Sequence, residues 1–236
     1  MVQKYIGNEL ELFARATNWK KYYGRIIKPY LTGNVLEVGA GIGATTTLLC
    51  DGSHSRWLCL EPDPVLADII SRTIQKGGLP KCCQVAIGTL ADLTLTSNFH
   101  SIIYIDVLEH MENDKKELET AKKHLAKGGY LIVLSPAHQW LFSPFDRRIG
   151  HFRRYTKSTL GASVPSGLKC VLLRYLDSAG IITSLSNRLL LNQGMPTARQ
   201  ILFWDRILVP ISKFADPLLG YTLGKTVLGV WQQPSD

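Results

Sequence analysis

No run of about 18 apolar residues occurs in this 236-residue chain, so no segment reads as a membrane-spanning helix. The nearest candidate, residues 207–230, is interrupted by Pro210, Lys213, Asp216, Pro217 and Lys225. The start, Met1-Val-Gln-Lys-Tyr5, lacks the apolar core of a signal peptide. Cysteine is sparse: Cys50, Cys59, Cys82, Cys83 and Cys170 are odd in number and form no C-x-x-C pair. That pattern points to buried free thiols in a reducing, cytoplasmic setting, and its spacing gives no support for zinc, so no metal is expected. No internal repeat or low-complexity tract appears, which excludes solenoids and disordered linkers. Acids are scarce in one half only. Residues 1–126 balance 14 Lys+Arg against 14 Asp+Glu, whereas residues 127–236 carry 13 against 5, so the whole net charge of +8 lies there. No basic repeat interleaved with aromatics accompanies it, so nucleic acid is not an expected partner, while peripheral contact with an anionic membrane stays open. Nothing in the chain speaks to oligomeric state.

What is present begins with Asn34-Val-Leu-Glu-Val-Gly-Ala-Gly-Ile-Gly-Ala-Thr-Thr46, a buried strand running into a glycine turn and a helix. Gly39, Gly41 and Gly43 permit φ > 0 and let a ligand lie against the backbone, and the helix that follows aims unpaired N–H groups at it. The turn is a nucleotide or nucleoside cradle. Taken alone, its spacing suits S-adenosylmethionine first, a dinucleotide second, and third a glycine-rich strand exit that binds nothing. Glu37 sits inside the apolar strand and needs a partner, for which the amino group of a methionine moiety would serve. Glu61 ends a second apolar strand, where a carboxylate can accept both ribose hydroxyls. Asp106 ends a third such run and leads into Val107-Leu-Glu-His110.

Strands are expected at 34–39, 56–61, 82–87, 101–106, 130–135, 168–176 and 225–231. Helices are expected at 43–51, 64–76, 113–126, 157–162 and 198–220, the last split in two by Pro210. Two short helices should precede the first strand, within residues 5–30. This alternation predicts an α/β fold, a doubly wound, mostly parallel seven-stranded sheet. The expected layout is one domain: a helical cap (1–33), a cofactor-binding core (34–135) and a substrate side (136–236). Such sheets bind ligands beyond the carboxyl ends of their strands, where Glu37, Gly39, Glu61, Thr89 and Asp106 all fall.

Leu36-Glu-Val-Gly-Ala-Gly-Ile-Gly43, Leu60-Glu-Pro-Asp63, Gly88-Thr-Leu90, Asp106-Val-Leu-Glu-His110 and Leu125-Ala-Lys-Gly-Gly-Tyr-Leu-Ile-Val-Leu-Ser135 together resemble the class I S-adenosylmethionine-dependent methyltransferases. Ser135-Pro-Ala-His138, Phe145-Asp146, Gly150-His-Phe-Arg-Arg-Tyr155 and Gly224-Lys-Thr-Val-Leu228 resemble a bacterial subgroup of mostly unassigned substrate. The resemblance implies a Rossmann-like fold with its last strand antiparallel beside the fifth. It also implies S-adenosylmethionine as cofactor, held by Glu37, Gly39, Ala40, Gly41, Gly43, Glu61, Pro62, Thr89, Leu90, Asp106 and Val107.

A hydroxyl acceptor would need a base, and His110, His138 and His151 are the candidates, with Asp146 placed to orient His151. Glu109 reads as an acid at a helix start. Arg153 and Arg154, with Tyr155, suit an anionic substrate because guanidinium groups capture phosphate or carboxylate in bidentate fashion. The implied reaction is methyl transfer to oxygen or nitrogen of a small anionic or carrier-linked metabolite, a sugar or glycan precursor being the first expectation. A quinone or lipid-like acceptor, suggested by the apolar stretch 200–230, is the first alternative, and an NAD-type oxidoreductase the second.

Overall fold

The computed structural model describes residues 9–94, 98–191 and 193–235. Seven strands form one sheet: β1 (Asn34–Val38), β2 (Arg56–Glu61), β3 (Cys83–Ile87), β4 (Phe99–Ile105), β5 (Leu125–Pro136), β6 (Lys169–Leu176) and β7 (Thr226–Gln232). Their order is β3-β2-β1-β4-β5-β7-β6. The first five pair in parallel, and β7 is antiparallel to both β5 and β6. The expectation of a mostly parallel sheet with an antiparallel last strand holds. The sheet reverses direction of growth between β1 and β4, the place where open α/β sheets leave a crevice.

Side chains alternate across each strand. Val35, Trp57, Cys59, Ile103, Ile132, Leu134, Leu228 and Val230 share one core with α2 (Thr17–Ile27) and the carboxyl-terminal helices. Leu36, Leu58, Leu60, Ile102, Tyr104, Leu131, Val133 and Val227 share the other with α5 (Asp114–His124) and α7 (Lys157–Ser163). Fully burying a side chain of this size stabilises by about 1.5–3 kcal/mol. Asp63 caps α4 (Pro64–Gln75), its Oδ1 accepting from Val65 N at 2.8 Å, and Pro64 occupies the first turn where its missing N–H costs nothing.

The structure departs from expectation in four places. The helix after the glycine turn, α3, is confined to Thr46–Leu49, because the left-handed glycines delay its start. Strand β5 begins at Leu125 and absorbs the end of the expected helix 113–126. Two helices went unforeseen: α6 (Pro144–Arg148) and α8 (Ile181–Ser186). Finally, α9 (Ala198–Phe203) and α10 (Val209–Leu218) are joined by a π turn at Trp204–Leu208. Pro210 lies just beyond that turn, whose wider winding accommodates the donor that proline lacks. At the amino end, two short helices do precede β1, α1 (Glu9–Ala14) and α2. Asp205 from the π turn caps α2, accepting from Trp19 N at 2.8 Å and Asn18 N at 3.2 Å.

Candidate active site

The crevice is built by turns leaving β1, β2 and β4. Gly39, Gly41 and Gly43 have φ of 67°, 58° and 76°, a conformation that favours glycine. A Cβ on Gly39 would come within 2.7 Å of Val107, so this position also lets the β1 and β4 turns approach. Gly41 N donates to Glu61 Oε2 at 2.7 Å, and Asp63 N donates to Glu61 Oε1 at 3.0 Å. Glu61 therefore turns toward the glycine bend, as expected, and burial raises its pKa. Asp106 adopts φ 54° and has exposed surface, yet its surroundings push its pKa up to about 6 by desolvation, with His151, Lys20 and Lys225 opposing. Over the bend lies α1: a Cβ on Gly41 would stand 3.4 Å from Leu10 Cδ1.

Glu37 requires a correction. It was expected to find its partner in a ligand amine, but Thr46 Oγ1 and Trp57 Nε1 donate to its Oε2 at 2.6 and 2.8 Å. Burial still pushes its pKa up to about 7. The folded state thus binds a proton between about pH 4.5 and 7 that the unfolded chain releases, so stability falls as pH rises through that window. Glu37→Gln, which keeps an acceptor oxygen, should remove the slope and be more stable than the parent by about 3 kcal/mol above pH 7. The two proteins should converge near pH 4.5, as read by urea denaturation across pH. Parallel pH curves would contradict the assignment.

Beyond the end of β3, the Leu90 side chain is fully buried in the core, so only its backbone can reach a ligand. The acid further along, Asp92, accepts from Thr89 N and Oγ1, both at 2.7 Å, and so caps a turn. A groove of about 230 Å³ lined by Pro64, Ala67, Asp68, Ser71, Val85 and Ile87 opens where α4 starts and β3 ends.

The loop after α6 is pinned over the carboxyl ends of β4 and β5. Phe152 N donates to Glu109 O at 2.8 Å, and Ala137 pairs with Tyr155 in a single bridge. Within it, His151 Nδ1 lies 2.8 Å from Asp146 Oδ1, the pair expected from their spacing. The His110 ring packs edge-on against His151, with centroids 4.5 Å apart. Burial lowers the His110 pKa to about 4. His138 stands elsewhere, at φ 65°, its ring between Trp140 and Tyr175, and burial lowers its pKa too.

The arginines are where expectation and structure part. Arg154 Nε and Nη2 donate to Asp146 Oδ1 and Oδ2 at 2.8 and 2.9 Å, a bidentate pair inside the protein. Burial alone would raise Asp146, but His151 and Arg154 hold it well below the carboxylate range. Arg153 Nη1 pairs with Asp114 Oδ1 at 2.9 Å, and Tyr155 Oη donates to Asp114 Oδ2 at 2.8 Å. All three residues anchor the loop through Asp114 and Asp146. Sequence reasoning placed Glu109 rightly in the first turn of a short helix, Leu108–His110, but did not give its depth. It is fully buried, with Ser135 Oγ donating to Oε2 at 2.9 Å and no hydrogen bond to Oε1. It missed Asp177, Asp205, Asp216 and Lys225 altogether. Their one signal was isolation: single charges among apolar neighbours need partners. Nor did it see that Cys50 Sγ lies 3.4 Å from the Sγ atoms of both Cys82 and Cys83.

A seven-stranded sheet with an antiparallel last strand, a glycine bend after β1 and acids at the ends of β2 and β4 define the Rossmann-like architecture of class I methyltransferases. Residues 36–131 match the family model described as a methyltransferase domain, and the fold is similar to that of S-adenosylmethionine-dependent methyltransferases. Among solved structures it is similar to a geranyl diphosphate methyltransferase in complex with SAM (TM-score 0.66, 10% identity, covering 96% of this chain and 90% of that one). It is also similar to coclaurine N-methyltransferase bound to N-methylheliamine and SAH (0.62, 14%, 92% and 72%). A third is the [4+2]-cyclase SpnF (0.64, 14%, 91% and 80%), so the fold by itself does not fix the reaction. Among proteins of curated function, none matches by sequence. No helix among the described residues is long and apolar enough to cross a membrane.

Proposed function

We propose that the enzyme methylates an oxygen or nitrogen on an amphiphilic acceptor, an apolar tail with an anionic or carrier-linked head, taken up at a lipid surface. The cofactor's methionine end lies over Gly39–Gly43. Its ribose meets Glu61, and its adenine lies beside Pro62, Thr89 and the Leu90 backbone. Bound there, S-adenosylmethionine supplies an already activated methyl group. The chain's own task is to align the acceptor with it, which is worth about 7–11 kcal/mol of barrier.

The observation that carries the substrate class is an exposed apolar stripe along the run from α9 to α10: Phe203, Ile207, Ile211, Phe214 and Leu218. Their spacing of three and four residues puts them on one helical face, and Phe214 and Leu218 are 75% and 89% exposed. Exposed Arg199, Arg206 and Lys213 belong to the same run. An apolar face with basic residues beside it suits the interface of an anionic bilayer. The opposite face, through Trp204, Asp205, Leu208 and Asp216, is buried, so the helix is docked rather than loose. The fold is compatible with such an acceptor, since one neighbour's named substrate, geranyl diphosphate, joins an apolar tail to a diphosphate.

Co-sedimentation with phosphatidylglycerol vesicles tests this. The parent protein should bind, and Phe214→Asp with Leu218→Asp should weaken binding at least about tenfold, 1.4 kcal/mol, with little change in stability. A parent protein that stays in the supernatant, or a double variant that binds equally, overturns the reading.

A further inference from the structure

The absence of any expected metal rested on spacing along the chain, and the fold brings together residues that spacing keeps apart. Glu109 and His110 leave the end of β4, whereas His151 arrives from the loop after α6, 41 positions beyond His110. One ligand atom from each of the three lies within 4.8 Å of the others. Glu109 Oε1 is 3.7 Å from His151 Nε2, close to the separation of about 3.4 Å that two ligands 2.0–2.1 Å from a tetrahedral ion would have.

We propose that Glu109, His110 and His151 bind one divalent transition-metal cation, with coordination positions left open for an oxygen of the acceptor. Two histidines and a carboxylate are a donor set for zinc or ferrous iron. Three protein ligands leave at least one position vacant. Glu109 Oε1 is fully buried and receives no hydrogen bond, so it lacks the partner that a buried carboxylate oxygen requires.

The surroundings are those of a built site. Metal-binding imidazoles are oriented by a hydrogen bond to their other nitrogen, and ligating carboxylates are themselves hydrogen-bonded. His151 Nδ1 has Asp146 at 2.8 Å, and Arg154 holds Asp146 in turn. Ser135 Oγ donates to Glu109 Oε2. The His110 ring lies against the backbone of Ile149 and Gly150. The proposal stands on these residues alone and does not depend on the lipid-like acceptor.

The test is titration of the chelator-treated full chain with Co²⁺, followed by calorimetry and visible absorption. One equivalent should bind with ligand-field bands of nitrogen and oxygen coordination. Proton NMR should show two exchangeable, paramagnetically shifted imidazole N–H signals. Glu109→Gln and His151→Gln should each weaken binding about a hundredfold or more, and Ser135→Ala about tenfold. Replacing Cys82 and Cys83 by serine should leave binding unchanged. The proposal is overturned if the parent binds no cobalt saturably, or if folded Glu109→Gln and His151→Gln bind as well as the parent. It is equally overturned if the bands are thiolate bands that the cysteine substitutions remove. Should both ligand variants fail to fold, the parent's imidazole signals decide: two support the site and none refutes it.

Discussion

Asp216→Ala is expected to destabilise the protein by about 3–5 kcal/mol, the usual result of removing one member of a buried charged network. Asp216 is fully buried in α10 and accepts from Tyr22 Oη at 2.8 Å, Asp177 N at 2.7 Å, Ser178 N at 3.0 Å and Ser178 Oγ. These donors come from α2 and from the turn after β6, so one carboxylate ties three separate elements together. Alanine leaves a phenol and two backbone N–H groups without water or partner, each costing about 1–3 kcal/mol. The next layer makes relaxation harder. Asp177 accepts from Trp204 Nε1 at 2.6 Å and Ser212 Oγ at 2.7 Å, and Lys225 Nζ sits 3.8 Å over the Trp204 ring. Typical domains are stable by only about 5–15 kcal/mol, so the variant should approach unfolding at ordinary temperature. Urea denaturation followed by tryptophan fluorescence gives the value. A loss below about 1 kcal/mol would mean that the network contributes nothing beyond filling space.

That network was the least legible part of the chain, and the reason is physical. Strands β1, β2 and β4 could be read because they are short apolar runs closed by glycine, proline or acid. Their parallel order then forced Glu61, Asp106 and the glycine bend to one edge. Tyr22 and Asp216 are 194 positions apart, and no local rule pairs a tyrosine with an acid at that distance. Arg153 and Arg154 misled for a related reason. Four arginines within eight residues resemble a patch awaiting an anion, but the anions were already supplied by Asp146 and Asp114. Only Asp146 lies nearby in sequence. Glu109 was rightly read as a helix-start acid, but its burial by β5 and the loop after α6 cannot be read from Val107-Leu-Glu-His110. Helix α3 came out shorter than its apolar pattern because three left-handed glycines take up the chain first. The exposed stripe on α10 was half legible: its composition suggested apolar contact, but only docking of the opposite face shows which side is left bare.

Gly41→Asp is expected to lower S-adenosylmethionine affinity at least about a thousandfold, or 4 kcal/mol, while the chain still folds. Folding should survive because aspartate tolerates the left-handed region better than most residues, and a Cβ at this position meets Leu10 at 3.4 Å, an ordinary contact. Binding should not survive, for two reasons that act together. The new side chain occupies the thin space between the bend and α1. Its carboxylate also adds a second negative charge to a bend whose Gly41 N–H already donates to Glu61 Oε2 at 2.7 Å. Two acids at one place repel each other, and the pair must be displaced or protonated before ribose hydroxyls can approach. Gly41→Asn separates these causes, since the amide fills the same volume without charge. It should restore part of the affinity if repulsion matters and none if volume decides. Calorimetry supplies the affinity, and thermal unfolding confirms that the variant is intact. A folded Gly41→Asp protein that binds within about fivefold of the parent would place the cofactor elsewhere than over the bend, and with it would go the assignment of Glu61 and Asp106 to the same ligand.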